Sequence, residues 1–135
     1  MKTPAERIES CDWSRLTAQL DERGYALTQP LLTAMECAEL IRLYGNRDAF
    51  RSRVIMERHN FGRGEYQYFA LPLPSLVLEL REHFYSQLAE IANRWTMRMN
   101  RPERFPSTLA DFLESCRQKL QTLPTPLMLD RKSVV

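Results

Sequence analysis

The chemically densest part of the sequence covers residues 51–68, where arginines alternate with aromatic residues. Such a mixture can hold an anionic or aromatic ligand through paired hydrogen bonds and ring stacking. Within it, Arg63, Tyr66 and Tyr68 are the candidates for a wall that faces a substrate. A second interpretation stays open, because one face of a half-buried hairpin is polar without having any function.

The other residue types that commonly do chemistry form no recognisable site. The two histidines, His59 and His83, have neither a carboxylate two residues later nor the spacing of a zinc-binding helix. The three cysteines are too widely spaced for a zinc cluster or a disulfide framework. Gly62 and Gly64 lack the third glycine and the strand-to-helix context of a dinucleotide site. From the residues alone we predict no catalytic, cofactor-binding or metal-binding side chain.

Helix caps and apolar periodicity predict the elements that position this stretch. The predicted helices begin at Asp12, Thr33, Ser75 and Thr108. The helix after Thr33 is expected to bury a face made of Cys37, Leu40, Ile41 and Tyr44. Strands are predicted at residues 25–27, at 53–56 and 65–70 as a hairpin, and from Leu127 onwards. The expected fold is α+β, mainly helical, with one β-hairpin.

The composition indicates where in the cell the protein is located and which partners it can bind. The chain has 19 Lys and Arg against 17 Asp and Glu, with 44% hydrophobic residues, as in one soluble globular domain or a part of one. There is no apolar run typical of a signal peptide or a membrane helix. We expect a cytoplasmic protein with no membrane partner. Because the charges nearly balance, we also expect no nucleic-acid partner; binding through residues 51–63 would instead show a steep salt dependence.

Several segments share their pattern with a known family. They are residues 20–27 with the pair Gly24-Tyr25, residues 31–40 with Leu-x-x-x-Glu-Cys, and residues 50–54, 61–74, 92–95 and 121–127. Together they resemble a bacterial branch of the Fe(II)/2-oxoglutarate-dependent oxygenases of the prolyl-hydroxylase type. The likeness runs from about Asp12 to Leu129.

The resemblance implies a double-stranded β-helix, or jelly roll, with a His-x-Asp motif and a distant second His that hold Fe(II). It also implies 2-oxoglutarate as cosubstrate, ascorbate as a further candidate, and hydroxylation of a C–H bond in a small-molecule or peptidyl substrate. None of the metal ligands has a counterpart in this sequence. We therefore expect residues 12–129 to be the N-terminal helical and hairpin part of an oxygenase domain, truncated before the metal site, inactive alone and without bound cofactor.

Both ends of the chain are expected to lie outside that part. Residues 1–11 have the character of a polar lead. Residues 130–135 can be encoded by a widely used sequencing-adapter string, which predicts a non-native tail. An alternative from a different class also stays open: a complete, small helical interaction module that binds an acidic partner through its arginine-rich and aromatic hairpin.

Overall fold

The computed structural model describes residues 1–60 and 62–131. Within these ranges it has five α-helices, two short 3₁₀ helices and one three-stranded antiparallel sheet. The α-helices are α1 (Pro4–Glu9), α2 (Trp13–Arg23), α3 (Ala34–Leu43), α4 (Ser75–Arg98) and α5 (Leu109–Gln118). The strands are β1 (Phe50–Ile55), β2 (Glu65–Phe69) and β3 (Leu127–Asp130), and the 3₁₀ helices cover Arg47–Ala49 and Met56–His59. The predicted α+β class is confirmed. The described residues include fewer strands than a jelly roll has.

The described residues group into two compact units. The first unit consists of Met1–Thr33 and Leu78–Thr122 and is helical. The second unit consists of Ala34–Val77 and the chain from Leu123 onwards, and it contains α3 and the sheet. The boundaries expected after residues 11 and 129 stay predictions. None of the helices in the described ranges combines the length and the apolar character needed to cross a membrane.

The segment expected to be a polar lead contains α1. Thr3 and Glu6 form a capping box, because each side chain accepts a hydrogen bond from the other residue's backbone amide. Ile8 is fully buried, and its carbonyl accepts a 2.8 Å hydrogen bond from the indole N–H of Trp13. A helix of six residues is too short to show a periodic apolar pattern, so the sequence did not predict α1.

α2 ends at Gly24, as the sequence predicts. The φ angle of Gly24 is 81°, a left-handed conformation that glycine adopts without strain. The strand predicted at residues 25–27 is wrong. Tyr25 and Leu27 are 57% and 78% exposed, and they belong to none of the strands in the described chain. An apolar triplet fits a strand pattern, but a strand forms only where a neighbouring strand offers backbone partners.

In the first unit, α4 and α5 pack through aromatic side chains. The ring centroids of Tyr85 and Phe112 lie 5.5 Å apart, and the Tyr85 hydroxyl donates a 2.7 Å hydrogen bond to the Pro106 carbonyl. Asn93 fixes the loop between the helices, because its side-chain amide exchanges hydrogen bonds of 2.7 and 2.9 Å with the backbone of Phe105. Both helices predicted for this part of the chain are confirmed.

α3 forms where the sequence predicts it, but its expected buried face is wrong. None of its residues is buried, Cys37 is exposed, and Ile41 is 70% exposed. Periodicity shows which side of a helix could be covered, whereas burial depends on what the rest of the chain places against that side.

The predicted hairpin is confirmed as β1 and β2. The two strands pair antiparallel, with Val54 opposite Tyr66, and the register shifts between Phe50 and Ser52. β2 is the central strand of the order β1-β2-β3. Phe61, in the loop that joins the two strands, lies outside the described residues.

The strand predicted from Leu127 is confirmed as β3. It pairs antiparallel with β2 and continues to Asp130, which lies opposite Glu65. The first residue of the expected tail therefore belongs to the sheet, because β2 offers it a backbone partner. Residues 132–135 of that expected tail lie outside the described residues.

Candidate functional site

The two faces of the sheet differ because side chains alternate along each strand. The inner face carries Glu65, Gln67 and Phe69 of β2, which are 3%, 8% and 2% exposed. The outer face carries Tyr66 and Tyr68, both of which are partly exposed. The inner face thus buries a carboxylate and an amide, and such groups are costly to remove from water unless they are hydrogen-bonded.

Those hydrogen bonds come from the Glu65 cluster, which consists of Tyr44, Arg53, Glu65 and Gln67. Arg53 donates to both carboxylate oxygens of Glu65, each at 2.7 Å. The Tyr44 hydroxyl donates to the same carboxylate at 2.8 Å, and the Gln67 amide donates to the Tyr44 backbone carbonyl at 3.0 Å. Across the described residues, every buried side-chain nitrogen or oxygen has a hydrogen-bond partner. The cluster therefore fixes the end of α3 against the sheet.

The environment of the cluster raises the pKa of Tyr44 to about 12. Desolvation is the largest cause, because burial disfavours the charged phenolate. The Glu65 carboxylate adds to it, since it accepts a hydrogen bond from the neutral hydroxyl and would repel a phenolate. The folded-state pKa lies above the ordinary value of 10.0. The stability that Tyr44 contributes is therefore complete below about pH 10 and is lost as the pH rises towards the folded-state value.

We expect Tyr44→Phe to lower the free energy of unfolding by about 1–2 kcal/mol at neutral pH, because the variant loses a hydrogen bond to a buried carboxylate. This difference should shrink as the pH rises above about 10, and urea denaturation at stepped pH measures it. Tyr66→Phe is the matched control, since the Tyr66 hydroxyl makes no hydrogen bond with the described residues. Equal losses in the two variants would contradict the role given to Tyr44.

A groove of about 450 Å³ opens beside the Glu65 cluster. Its charged and aromatic lining consists of Tyr44, Arg47, Phe50, Arg51, Arg53 and Glu65. The lining residues thus include three arginines and one glutamate, a formal charge of +2. Chemically, a groove of this kind suits an anion rather than a cation.

Arg51 is held in place at the edge of the sheet. Its Nε donates a 2.9 Å hydrogen bond to the carbonyl of Pro124. Its guanidinium carbon also lies 4.6 Å from the ring centroid of Tyr68, a cation–π distance. The side chain is therefore restrained by contacts with both β2 and the segment that leads into β3.

Two of the three residues predicted as a substrate-facing wall lie together. The rings of Tyr66 and Tyr68 have centroids 5.6 Å apart and stand at 85° to each other on the outer face. Arg63 is exposed in the loop before β2, and it is Arg51 that stacks on Tyr68. The role of these residues as a substrate wall stays a prediction.

The prediction from sequence assigned Tyr44, Glu65 and Gln67 to no site, and it expected Tyr44 only as part of the buried face of the helix after Thr33. A signal was present, because Glu65 and Gln67 share the strand phase of Phe69 and so occupy positions where an apolar residue is expected. A carboxylate in that phase indicates a buried group that needs a cationic or hydroxyl partner.

The comparison with protein families covers the second half of the chain. Residues 64–133 match the model of a family described as "Oxygenase, catalysing oxidative methylation of damaged DNA". That match takes in 70 of the 135 residues, including β2, α4, α5 and β3. The chain belongs to this oxygenase family. We call it the DNA-damage oxygenase family below.

Two curated relatives of the chain come from Mycobacterium tuberculosis. They are Uncharacterized protein Rv2227 of strain H37Rv and Uncharacterized protein MT2286 of strain CDC 1551, each 36% identical over 61 residues. The matching stretch is 45% of this chain and 26% of each relative, so the chain spans about a quarter of the length of the relatives it matches. No solved structure matches the chain.

Membership of the DNA-damage oxygenase family corrects the expected prolyl-hydroxylase type, which is wrong. Three of the segments that carried that resemblance, at residues 20–27, 31–40 and 50–54, precede the matched region. Within it, Asn93 and Trp95 have structural roles: Asn93 binds the Phe105 backbone, and the Trp95 indole donates a 2.6 Å hydrogen bond to Asp21. Residues that support a helix can be shared by oxygenases of different substrate class, so they do not identify the type.

The described residues do not fit the iron that many oxygenases use. In residues 1–60 and 62–131, no three His, Cys, Asp or Glu side chains are grouped so that they could hold a metal ion. In the first unit, His83 Nδ1 lies 3.6 Å from Glu9 Oε1. In the second unit, His59 ends a 3₁₀ helix. No step of an oxygenase reaction is therefore assigned to these side chains.

Proposed function

We propose that this chain is part of an Fe(II)- and 2-oxoglutarate-dependent oxygenase that acts on DNA. The observation that carries the proposal is the family match over residues 64–133. An oxygenase family is compatible with these cofactors, and the expected chemistry is hydroxylation of a C–H bond coupled to decarboxylation of 2-oxoglutarate. The residues described here would supply the scaffold of the enzyme rather than its metal site.

The architecture of the matched region supports a scaffold role. β2 is paired on both sides, and its inner face is closed by the Glu65 cluster. The outer face is left with partly exposed tyrosines beside Leu127 and Leu129, which are 43% and 49% exposed. An apolar and aromatic sheet face of this kind is suited to being covered by further protein. Such a sheet could therefore support a larger oxygenase core.

The substrate in this proposal is DNA, because damaged DNA is what the family description names. The earlier expectations of a small-molecule or peptidyl substrate and of no nucleic-acid partner depended on the prolyl-hydroxylase resemblance and on the total charge. They stay untested predictions. The two possibilities differ in a measurable way, since a DNA substrate requires binding that weakens as salt is added.

A chimera tests the proposal. In the Rv2227 relative, the 61 residues that match are replaced by their counterparts from this chain. The relative and the chimera are each incubated with Fe(II), 2-oxoglutarate and an alkylated oligonucleotide, and succinate and the modified base are measured by mass spectrometry. We expect both proteins to form succinate in step with base oxidation. A folded but inactive chimera beside an active relative would contradict the proposal, as would a relative that leaves the alkylated base unchanged.

The 135-residue chain serves as the second arm of the same experiment. We expect it to form no succinate above a protein-free blank, because its described residues do not fit an iron site. Robust succinate formation by this polypeptide would overturn the scaffold role.

A further inference from the structure

The outer face of the sheet differs between its two sides. Residues that lie opposite each other in paired strands point to the same face, so the tyrosines of β2 lie between outward residues of β1 and β3. β3 contributes Leu127 and Leu129, and β1 contributes Ser52 and Val54. The β3 side is therefore aliphatic, whereas the β1 side places a hydroxyl next to the tyrosines.

Arg51 adds a positive charge to the β1 side. Its guanidinium carbon lies 4.6 Å from the ring centroid of Tyr68, so the charged group lies over the outer face. Its Nε donates to the Pro124 carbonyl, whereas neither Nη group makes a hydrogen bond or an ion pair with the described residues. Because two contacts already restrain the side chain, a ligand that binds the remaining donors pays less of its conformational entropy.

The hydroxyl groups around Arg51 are also available to a ligand. In the described part of the chain, the hydroxyls of Ser52, Tyr66 and Tyr68 have no hydrogen-bond partner, and all three residues are partly exposed. An apolar protein surface laid over them would bury each hydroxyl unpaired, at a cost of about 1–3 kcal/mol. Cover by further protein therefore suits the β3 side, whereas the β1 side suits a ligand that has a negative charge and hydrogen-bond acceptors.

The rings beside Arg51 favour a ligand that has flat rings of its own. Tyr66 and Tyr68 have ring centroids 5.6 Å apart and stand at 85° to each other. Arg51 covers one side of the Tyr68 ring, but its guanidinium plane can itself stack on a base. Single-stranded nucleic acids are bound by such surfaces, where bases stack on aromatic rings and a cation contacts the backbone.

We infer that the β1 side of the outer face binds single-stranded DNA, with Arg51 at a phosphate and a base stacked on Tyr66. The inference rests on the proposed function for its choice of DNA, and it names the surface that contacts the substrate. It also gives the predicted wall residues Tyr66 and Tyr68 a specific ligand. Because Arg51 is the cation that the fold orients on this face, we expect the salt dependence of one phosphate contact, a slope of about 0.7.

Binding of a labelled single-stranded oligonucleotide of about 15 nucleotides to the full chain tests this inference. Fluorescence anisotropy is recorded over a series of salt concentrations. We expect Arg51→Gln to weaken binding about five- to tenfold and to remove the salt slope of about 0.7. Tyr66→Leu should weaken binding about fivefold or more but keep the salt slope, because it removes a ring and no charge.

Two control variants match these substitutions. Tyr66→Phe keeps the ring, so its affinity should stay within about twofold of that of the unmodified chain. Arg42→Gln removes the same charge as Arg51→Gln from an exposed position on α3, and its affinity should also be unchanged. Circular dichroism shows whether each variant is folded.

An abasic oligonucleotide of the same length tests the stacking without changing the protein. It keeps the phosphates, so it should bind the unmodified chain about fivefold more weakly and with the same salt slope. Equal binding of the abasic and the normal oligonucleotide would overturn the inference, as would equal affinities of Arg51→Gln and Arg42→Gln. The absence of saturable binding to the unmodified chain would also overturn it, because the whole outer face would then be left to a protein partner.

The result is separable from the test of the proposed function. A chimera that oxidises alkylated DNA, together with outer-face variants that bind normally, removes this inference and leaves the function standing. Outer-face variants that lose DNA binding, beside an inactive chimera, support the surface and contradict the function.

Discussion

Glu65→Ala is expected to lower the free energy of unfolding by about 2–3 kcal/mol, the cost of losing hydrogen bonds to a buried carboxylate. Glu65 is 3% exposed and accepts from Tyr44 at 2.8 Å and from Arg53 at 2.7 Å. The variant leaves the Tyr44 hydroxyl without this acceptor in a partly enclosed site. The ion pair itself adds little to the figure, because half of the Arg53 side chain is exposed and water can replace the carboxylate there.

Urea denaturation followed by circular dichroism measures this loss, and Glu57→Ala is the control. Glu57 is an exposed glutamate in the same unit, and its replacement should change the free energy of unfolding by less than about 0.5 kcal/mol. A second variant, Glu65→Gln, keeps the shape and one acceptor, so it should fall between the two. If Glu65→Ala and Glu57→Ala unfold at the same urea concentration, the cluster does not hold the sheet as described.

The parts of the fold that could be predicted are those with a long local pattern. α4 extends over 24 residues, and its apolar positions recur at helical spacing throughout. The hairpin could be predicted because turn residues separate two segments rich in β-branched and aromatic residues. α1 and the segment at residues 25–27 gave patterns too short to decide. The structure of α1 depends on the burial of Ile8, and residues 25–27 pair with none of the strands in the described ranges.

The candidate site could be predicted only in part, because its contacts join distant residues. The alternation of arginines with aromatic residues pointed to the arginines and tyrosines of residues 51–68. In the structure, Arg51 stacks on Tyr68. The Glu65 cluster instead joins residues 12 and 21 positions apart, through Arg53 and Tyr44. These partners meet only in one register of β1 and β2, since a slip of one residue would turn Glu65 to the opposite face.

Gly64→Ala is expected to lower the free energy of unfolding by about 3 kcal/mol or more, because two costs combine at this position. The φ angle of Gly64 is +107°, which residues with a Cβ atom rarely adopt. A Cβ atom at Gly64 would also lie 2.7 Å from the backbone carbonyl oxygen of Asp130, closer than such atoms approach. That oxygen belongs to β3, so it can move away only if the pairing of β2 with β3 is disturbed.

Gly62→Ala separates the two costs. Gly62 has nearly the same φ angle, +108°, but a Cβ atom there would meet no atom of the described residues beyond its chain neighbours within 4 Å. The free energy of unfolding should therefore fall by only about 1–2 kcal/mol in Gly62→Ala, which is the cost of the backbone strain. The additional loss in Gly64→Ala measures the close approach of β3. Hydrogen exchange adds a local readout: the amides of β2 and β3 should lose protection in Gly64→Ala and keep it in Gly62→Ala. Equal losses of stability, with both strands protected in both variants, would mean that β3 does not lie against Gly64. In that case, contact with Gly64 would not fix the register in which Asp130 of β3 lies opposite Glu65. β3 would then not border the inner face of the sheet at this position.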